Sequence, residues 1–288
     1  MQYRTLGRTG ARLSVIGYGG ILCTQVEQTE ADRHVASAVD RGVTYFDVAP
    51  SYGNGEAEEK LGPALDPYRR GVFLACKTGK RDAAGARAEL EQSLRRLRTD
   101  HFDLYQLHAM TTPQDVEQVF APGGAMEVLR AAREQGQTRF LGFSAHSVEA
   151  AVALLERFPF DSVLAPFNFS TFYKGNFGPQ IVEAAQRAGA GLLALKGMAR
   201  TKWPEGLPRE QRTWPKCWYE PIADQGLASL ALRFTLGLPV TAAIPPGHHE
   251  LWEMALEVAS EPTPLTPAEE VRLRAAAEET DPIFRAAA

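Results

Sequence analysis

The sequence predicts an α/β fold, a (β/α)8 TIM barrel with an N-terminal β-hairpin capping the barrel bottom and extra C-terminal helices. Three observations predict it. Eight short β-rich runs alternate with amphipathic helical runs, and repeated strand–helix alternation implies parallel strands with crossover helices. The 288 residues suit one such barrel, of about 250 residues typically, and no linker divides them, so residues 1–288 are read as one domain. Polar side chains end several of the β-rich runs, where a barrel places its chemistry.

The elements follow in order. The start, TLGRTGARLSVIG, holds two short polar–apolar runs around Arg8-Thr9-Gly10, a hairpin turn signal. The candidate strands are Ser14–Gly20, Thr44–Val48, Val72–Lys77, Phe102–His108, Arg139–Ser144, Ser162–Phe167, Leu192–Lys196 and Thr241–Ile244. The candidate helices between them are Glu30–Arg41, Gly55–Leu65, Ala86–Leu97, Ala125–Glu134, Val148–Phe158, Gln180–Ala188 and Ile222–Leu236. Leu90, Leu94 and Leu97 recur at helical spacing and mark one inward stripe. Thr29 and Ser147 stand where a helix start needs a side-chain acceptor. Gly42, Gly136 and Gly189 follow helical runs, where a left-handed turn ends the helix. Two further helical runs, Glu250–Ala259 and Pro267–Glu278, follow the last strand. Thr201–Pro221, rich in Pro, Trp and charge, reads as a long loop over the C-terminal face, and loops that long are usually functional or mobile.

A net charge of −4 and a pI near 5.9 argue against nucleic acid, whose phosphates require a concentrated basic face. Three separated cysteines have no metal-ligand spacing, so no metal is expected, and their sparse odd count suggests a reducing compartment. No secretory h-region opens the chain and no apolar stretch could span a bilayer, so a cytoplasmic protein without a membrane partner is expected.

Chemistry concentrates at the strand ends. Asp47 and Tyr52 lie in FDVAPSYG, Lys77 in VFLACKTG and His108 in FDLYQLHAM. Each residue alone has a plain structural explanation: a cap, a solvated strand end, a hydrogen-bonded histidine. Strand alternation nevertheless puts His108 on the face of Gln106 and Leu104, Lys77 on that of Ala75, and Asp47 on that of Tyr45. All can face the barrel axis, and Tyr52 can reach the same mouth from its loop.

At these residues the chain closely resembles the aldo-keto reductases. The match runs from GRTG through GYGG, FDVAPSYGNGEAEEKLG, CKTG, DLYQLH and GFSAH to ALKGMA. The resemblance implies reduction of a small-molecule carbonyl with hydride from NADPH, or NADH. It implies that Tyr52 donates the proton, with Lys77 making the phenol a better acid, Asp47 balancing Lys77, and His108 orienting the carbonyl. It further implies cofactor contacts: Gly19, Gly20 and Asp47 near the first strands, and Ser144 and Asn168 on the carboxamide. Lys196, Gly197 and Met198 would meet the pyrophosphate, and Ile244, Pro245, Gly247 and His248 the adenosine half. NADP is the first choice, NAD the second. The chain departs from the family pattern where Ala145-His146 follow Ser144, where Leu164-Ala165-Pro166 replace a frequent glutamine, and where His248 and His249 replace a basic cluster. Ile21, Leu22, Phe169, Phe172, Tyr173, Met198 and Trp203–Trp218 are candidate substrate contacts, and the oligomeric state is left open. Two alternatives stand beside this: a cofactor-binding regulatory barrel with little turnover, and a Schiff-base lysine at Lys77 or Lys196.

Overall fold

The computed structural model describes residues 1–260 and 263–287. Two short strands, β1 (Tyr3–Thr5) and β2 (Arg12–Ser14), pair antiparallel, as the hairpin signal predicts. Gly10 makes their turn with φ +73°, a conformation cheap only without a Cβ. Leu6 and Leu13 from this hairpin are fully buried against Tyr45, Phe73, Leu104, Leu164, Leu193 and Ala242. The hairpin therefore plugs the bottom of the barrel with its own leucines.

The repeating units follow: β3 (Tyr18–Gly19) and α1 (Gln28–Asp40); β4 (Tyr45–Asp47) and α2 (Glu56–Leu65); β5 (Phe73–Thr78) and α3 (Ala83–Arg96). Next come β6 (Phe102–Met110) with α4 (Pro113–Phe120) and α5 (Ala125–Glu134); β7 (Thr138–Ala145) with α6 (Val148–Arg157); and β8 (Ser162–Pro166) with α7 (Phe169–Tyr173) and α8 (Pro179–Ala188). Then β9 (Gly191–Leu195) leads through β10 (Ala199–Lys202) and β11 (Tyr219–Pro221) to α9 (Gln225–Gly237), and β12 (Ala242–Ile244) leads to α10 (His249–Ser260) and α11 (Pro267–Glu278).

The sheet order is β3-β4-β5-β6-β7-β8-β9-β12, every pair parallel. The N–H of Gly17 donates to the Ala243 carbonyl at 2.9 Å, and the N–H of Ala243 to the Val15 carbonyl at 2.9 Å, which closes the ring. The predicted first strand is thus divided among three tasks. Ser14 ends the plug hairpin, residues 15–17 close the barrel, and Tyr18–Gly19 pair with β4. Side chains alternate as expected. Tyr45, Ala75 and Leu104 fill the barrel, while Phe46, Cys76 and Tyr105 join the layer beneath the helices.

Several boundaries differ from the sequence expectation. Thr29 lies inside α1, which starts at Gln28, so it is not the cap. Ser147 does cap α6, its hydroxyl accepting from the Ala150 N–H at 3.1 Å. Helix α3 starts three residues early because Asp82 caps it, and α9 starts at Gln225 behind the cap of Asp224. Helices α4 and α7 were not expected. The long loop Thr201–Pro221 is bounded by an antiparallel pair, β10 with β11, which makes it a hairpin with a broad tip. No described helix is long and apolar enough to cross a membrane.

Candidate active site

The C-terminal ends of β4 and β5 bring Asp47 and Lys77 together. Lys77 is fully buried, and its ammonium bonds the Asp47 carboxylate and donates to the Val48 carbonyl at 3.2 Å. Asp47 is also bonded by the Tyr45 hydroxyl at 3.2 Å and by Gln106 Nε2 at 3.1 Å. A buried carboxylate demands such donors. Tyr45 and Gln106, legible only as face-mates of Asp47 and His108, supply them. Burial works against the Lys77 charge, but Asp47, helped by Tyr52, more than offsets it and holds the ammonium above the ordinary lysine range.

Tyr52 leans over this pair from the loop after β4. Its hydroxyl is 3.4 Å from Lys77 Nζ, and its ring meets that of His108 edge-on at 5.9 Å between centroids. The four residues gathered by sequence order are therefore gathered in space. Lys77 lowers the Tyr52 pKa, in the expected direction, while burial acts first and more strongly and leaves the net shift upward. Burial, with Lys77, Lys196 and Arg81, lowers His108 to about 3, so its imidazole is neutral.

His108 sits where β6 buckles. The register with β7 shifts between Leu107 and Met110, and Ala109 has φ +53°. Arg81 secures the buckle by donating to the carbonyls of His108 and Ala109, each at 3.0 Å. The freed N–H of Ala109 donates to Ser144 Oγ at 2.8 Å. Ser144 thus spends an acceptor on the fold and retains its O–H as a donor. Asn168 caps α7 through Oδ1, which accepts from the Thr171 N–H at 3.0 Å. Its buried Nδ2 has no partner among the described residues, so a carboxamide oxygen fits there as acceptor.

On the opposite side, Lys196 comes just after β9 with φ +62°. Its amine faces the mouth at 3.2 Å from His146 Nε2, and lies over the rings of Trp218 and Phe284 at 5.5 and 5.6 Å. The ring of Phe284 also stacks on His146 at 5.0 Å. Phe284 escaped the sequence reading because the segment after α11 has no periodicity.

A cavity of about 380 Å³ is lined by Tyr52, Lys196, Trp218, Ile21 and Ile244–Gly247, with Leu195 beside Lys196 paired to Ile244 across β9 and β12. The broad hairpin tip crosses it as a strap. The N–H of Lys216 donates to His248 Nε2 at 3.1 Å, Lys216 Nζ approaches the Leu22 carbonyl at 3.4 Å, and Trp214 meets the His248 ring edge-on at 5.0 Å. His248 is therefore a latch for the strap, and His249 stacks on His34 at 3.8 Å between ring centroids. His248 thus has one ring nitrogen engaged by the strap, while the buried Nδ1 of His249 has no partner among the described residues. Gly19 and Gly20 also have packing reasons. A Cβ at Gly20 would lie 2.6 Å from Val48, and one at Gly19 3.0 Å from Ile244. Gly197 and Gly247 are likewise crowded by Thr235 and Ile21. Phe169 and Met198 are buried in the core, while Phe172 and Tyr173 pack on Phe234, so none of these four lines the cavity. A larger cavity of about 490 Å³ between the β10–β11 hairpin, α9 and α11 holds none of the strand-end groups.

Comparison with known proteins gives a consistent answer. The chain is 32% identical over 185 residues to the aldo-keto reductase YhdN of Bacillus subtilis, covering 58% of this chain and 54% of that protein. It is 26% identical over 237 residues to the L-glyceraldehyde 3-phosphate reductase of Escherichia coli, covering 74% and 67%. The matched part spans about half the length of the first curated relatives. In fold, the chain superposes on the aldo-keto reductase AKR11C1 of Bacillus halodurans with a TM-score of 0.72, over 96% of each chain at 22% identity. The family profile described as Aldo/keto reductase family matches residues 15–206, more than half of the chain. The chain belongs to the aldo/keto reductase family.

Proposed function

We propose that the chain reduces an aldehyde or ketone to an alcohol, with Tyr52 giving the proton to the carbonyl oxygen. The observation that carries this is the contact of the Tyr52 hydroxyl with the buried Lys77–Asp47 pair at the cavity wall. A phenol raised by burial holds its proton at neutral pH. When that proton leaves toward an alkoxide, the Lys77 ammonium 3.4 Å away stabilises the phenolate left behind. Asp47 keeps Lys77 charged throughout. His108, neutral and edge-on to Tyr52, can donate a hydrogen bond that orients the carbonyl.

A nicotinamide cofactor supplies the hydride when bound. The unpartnered Asn168 Nδ2 and the Ser144 hydroxyl suit its carboxamide, and the strap latched to His248 and Leu22 suits retention of its length along Ile244–Gly247. With His248 engaged by the strap, Arg209 and Lys216 are the strap cations lining the cavity that could meet a 2′-phosphate. That leaves NADPH with thin support from the residues, and NADH is expected to serve as well. Comparing kcat/KM for NADPH and NADH decides between them. The proton role is tested by Tyr52→Phe, expected to lower kcat on a panel of aldehydes and ketones by about 10²–10⁴-fold while the cofactor Kd stays put. Near-normal turnover would remove Tyr52 from the acid role.

A further inference from the structure

Three cations line the cavity outside the proposed proton transfer, Lys196, Arg209 and Lys216, and Lys196 is the most buried of them. Lys196 is 8% exposed, and no carboxylate of the described residues lies within 4 Å of its amine. Its polar neighbour is the Nε2 of His146, at 3.2 Å. Trp218 of the strap and Phe284 of the C-terminal segment enclose it, each presenting a ring face. A buried ammonium without a counter-ion is costly. It is relieved when a ligand brings the missing negative charge into the same space.

We infer that Lys196, positioned by His146, is a specificity residue that seats an anionic group carried by the substrate, so that the chain prefers carbonyl compounds bearing a carboxylate near the carbonyl. This rests on the carbonyl-reducing function proposed above. The cofactor's pyrophosphate is the other anion that could reach a lysine at the end of β9. The enclosure favours the substrate. The β9–β12 pairing sets the backbone of Lys196 beside Ile244–Gly247, but its amine turns away to His146, framed by the strap's Trp218 and the C-terminal Phe284, and it influences His108. The groups facing Lys196 leave it as the responsive charge. Lys77 is neutralised by Asp47, His108 and His146 are held neutral by burial, and burial pushes the Cys217 thiol up to about 11. Burial, then repulsion from Lys77, lowers Lys196 itself to about 7.

Benzoylformate and its methyl ester share a ketone and differ in one charge. A charge-assisted hydrogen bond of about 1.5–3 kcal/mol corresponds to a preference of about 10–100-fold in kcat/KM for the acid. Lys196→Met is expected to bring the acid-to-ester ratio to about one, a readout from which general damage cancels. Lys196→Arg is expected to retain much of it. In the wild type the ratio falls as pH rises through about 7, while in Lys196→Arg it stays flat, because guanidinium does not titrate there. Calorimetric titration of benzoylformate into the cofactor-free protein, wild type against Lys196→Met, reads the same seat without turnover. Failure to reduce either compound would strike the proposed activity; binding that ignores the Lys196 substitution would strike this inference alone. A wild-type ratio near one overturns it. So does an unchanged ratio in Lys196→Met accompanied by a weakened NADH Kd, which would assign the amine to the pyrophosphate.

Discussion

Two lysines end two strands on opposite sides of one barrel mouth, and their fates diverge. Lys77, on β5, is fully buried but meets Asp47, and its charge is held above the usual lysine range. Lys196, just after β9, is nearly as buried but meets an imidazole and two aromatic faces, and its pKa falls to about 7. Depth is similar; the partner differs. The comparison teaches that burial alone does not neutralise a lysine, because a carboxylate at contact distance more than offsets lost hydration. It also separates a permanent charge, suited to stabilising a phenolate, from a responsive one, suited to receiving an anion.

The contrast can be broken most sharply at Lys77. Lys77→Met leaves the Asp47 carboxylate buried with Tyr45 and Gln106 alone, and should destabilise the fold by about 3–5 kcal/mol, read from urea unfolding. An unchanged midpoint would mean that the pair is not what holds Asp47. The same substitution at Lys196 should act in the opposite direction. With a folded pKa near 7 against 10.5 unfolded, Lys196 binds fewer protons in the folded chain between those values. Stability should therefore rise with pH across that window, the full penalty lying below 7. Lys196→Met should stabilise by on the order of 1–3 kcal/mol at pH 6, with the gain fading by pH 10. A constant gain at every pH would show that packing, not charge, is responsible.

The histidines sharpen the comparison from the acid side. His108 and His146 are lowered to about 3 and about 2, burial first and the neighbouring charges after it. Below an unfolded value near 6.5, the unfolded chain takes up protons that the folded one refuses. Stability is then lost at up to about 1.4 kcal/mol per pH unit for each imidazole. His146→Phe should flatten this limb by about half between pH 6 and 4. A smaller effect is expected at the strap. His248→Ala removes the acceptor for the Lys216 N–H and should weaken cofactor binding by about 2–10-fold, measured as NADH Kd; an unaltered Kd would mean that the latch does not retain cofactor.

Much of the proton-transfer side was legible because its logic is local. Strand alternation, a backbone property, put Asp47 with Tyr45, Lys77 with Ala75 and His108 with Gln106 on inward faces, and these are the residues that meet. The anion side was less legible. Lys196 reads as a pyrophosphate lysine, while its positive φ and its aromatic neighbours show only in the fold, and Phe284 lies in a segment with no period at all. Helix α4 escaped notice with two buried residues, Val116 and Val119, to mark its inner face, though its capping box of Thr112 and Asp115 was there to be read. Helix α7 has five residues, too few for a 3.6-residue period to show.

The order of strand–helix units, the bottom hairpin and the inward row of Asp47, Lys77 and His108 were determined by sequence alone. Each follows from a repeat of hydrophobicity, a turn residue or the two-residue alternation of a strand, all of which act between near neighbours in the chain. Tertiary structure alone decided that Lys77 stays charged, that Lys196 titrates near 7, that His248 serves the strap and that burial raises the Tyr52 phenol. Those outcomes are electrostatic. They depend on which groups from β4, β7, the strap and the C-terminal segment arrive within a few ångströms, and on how much water remains between them.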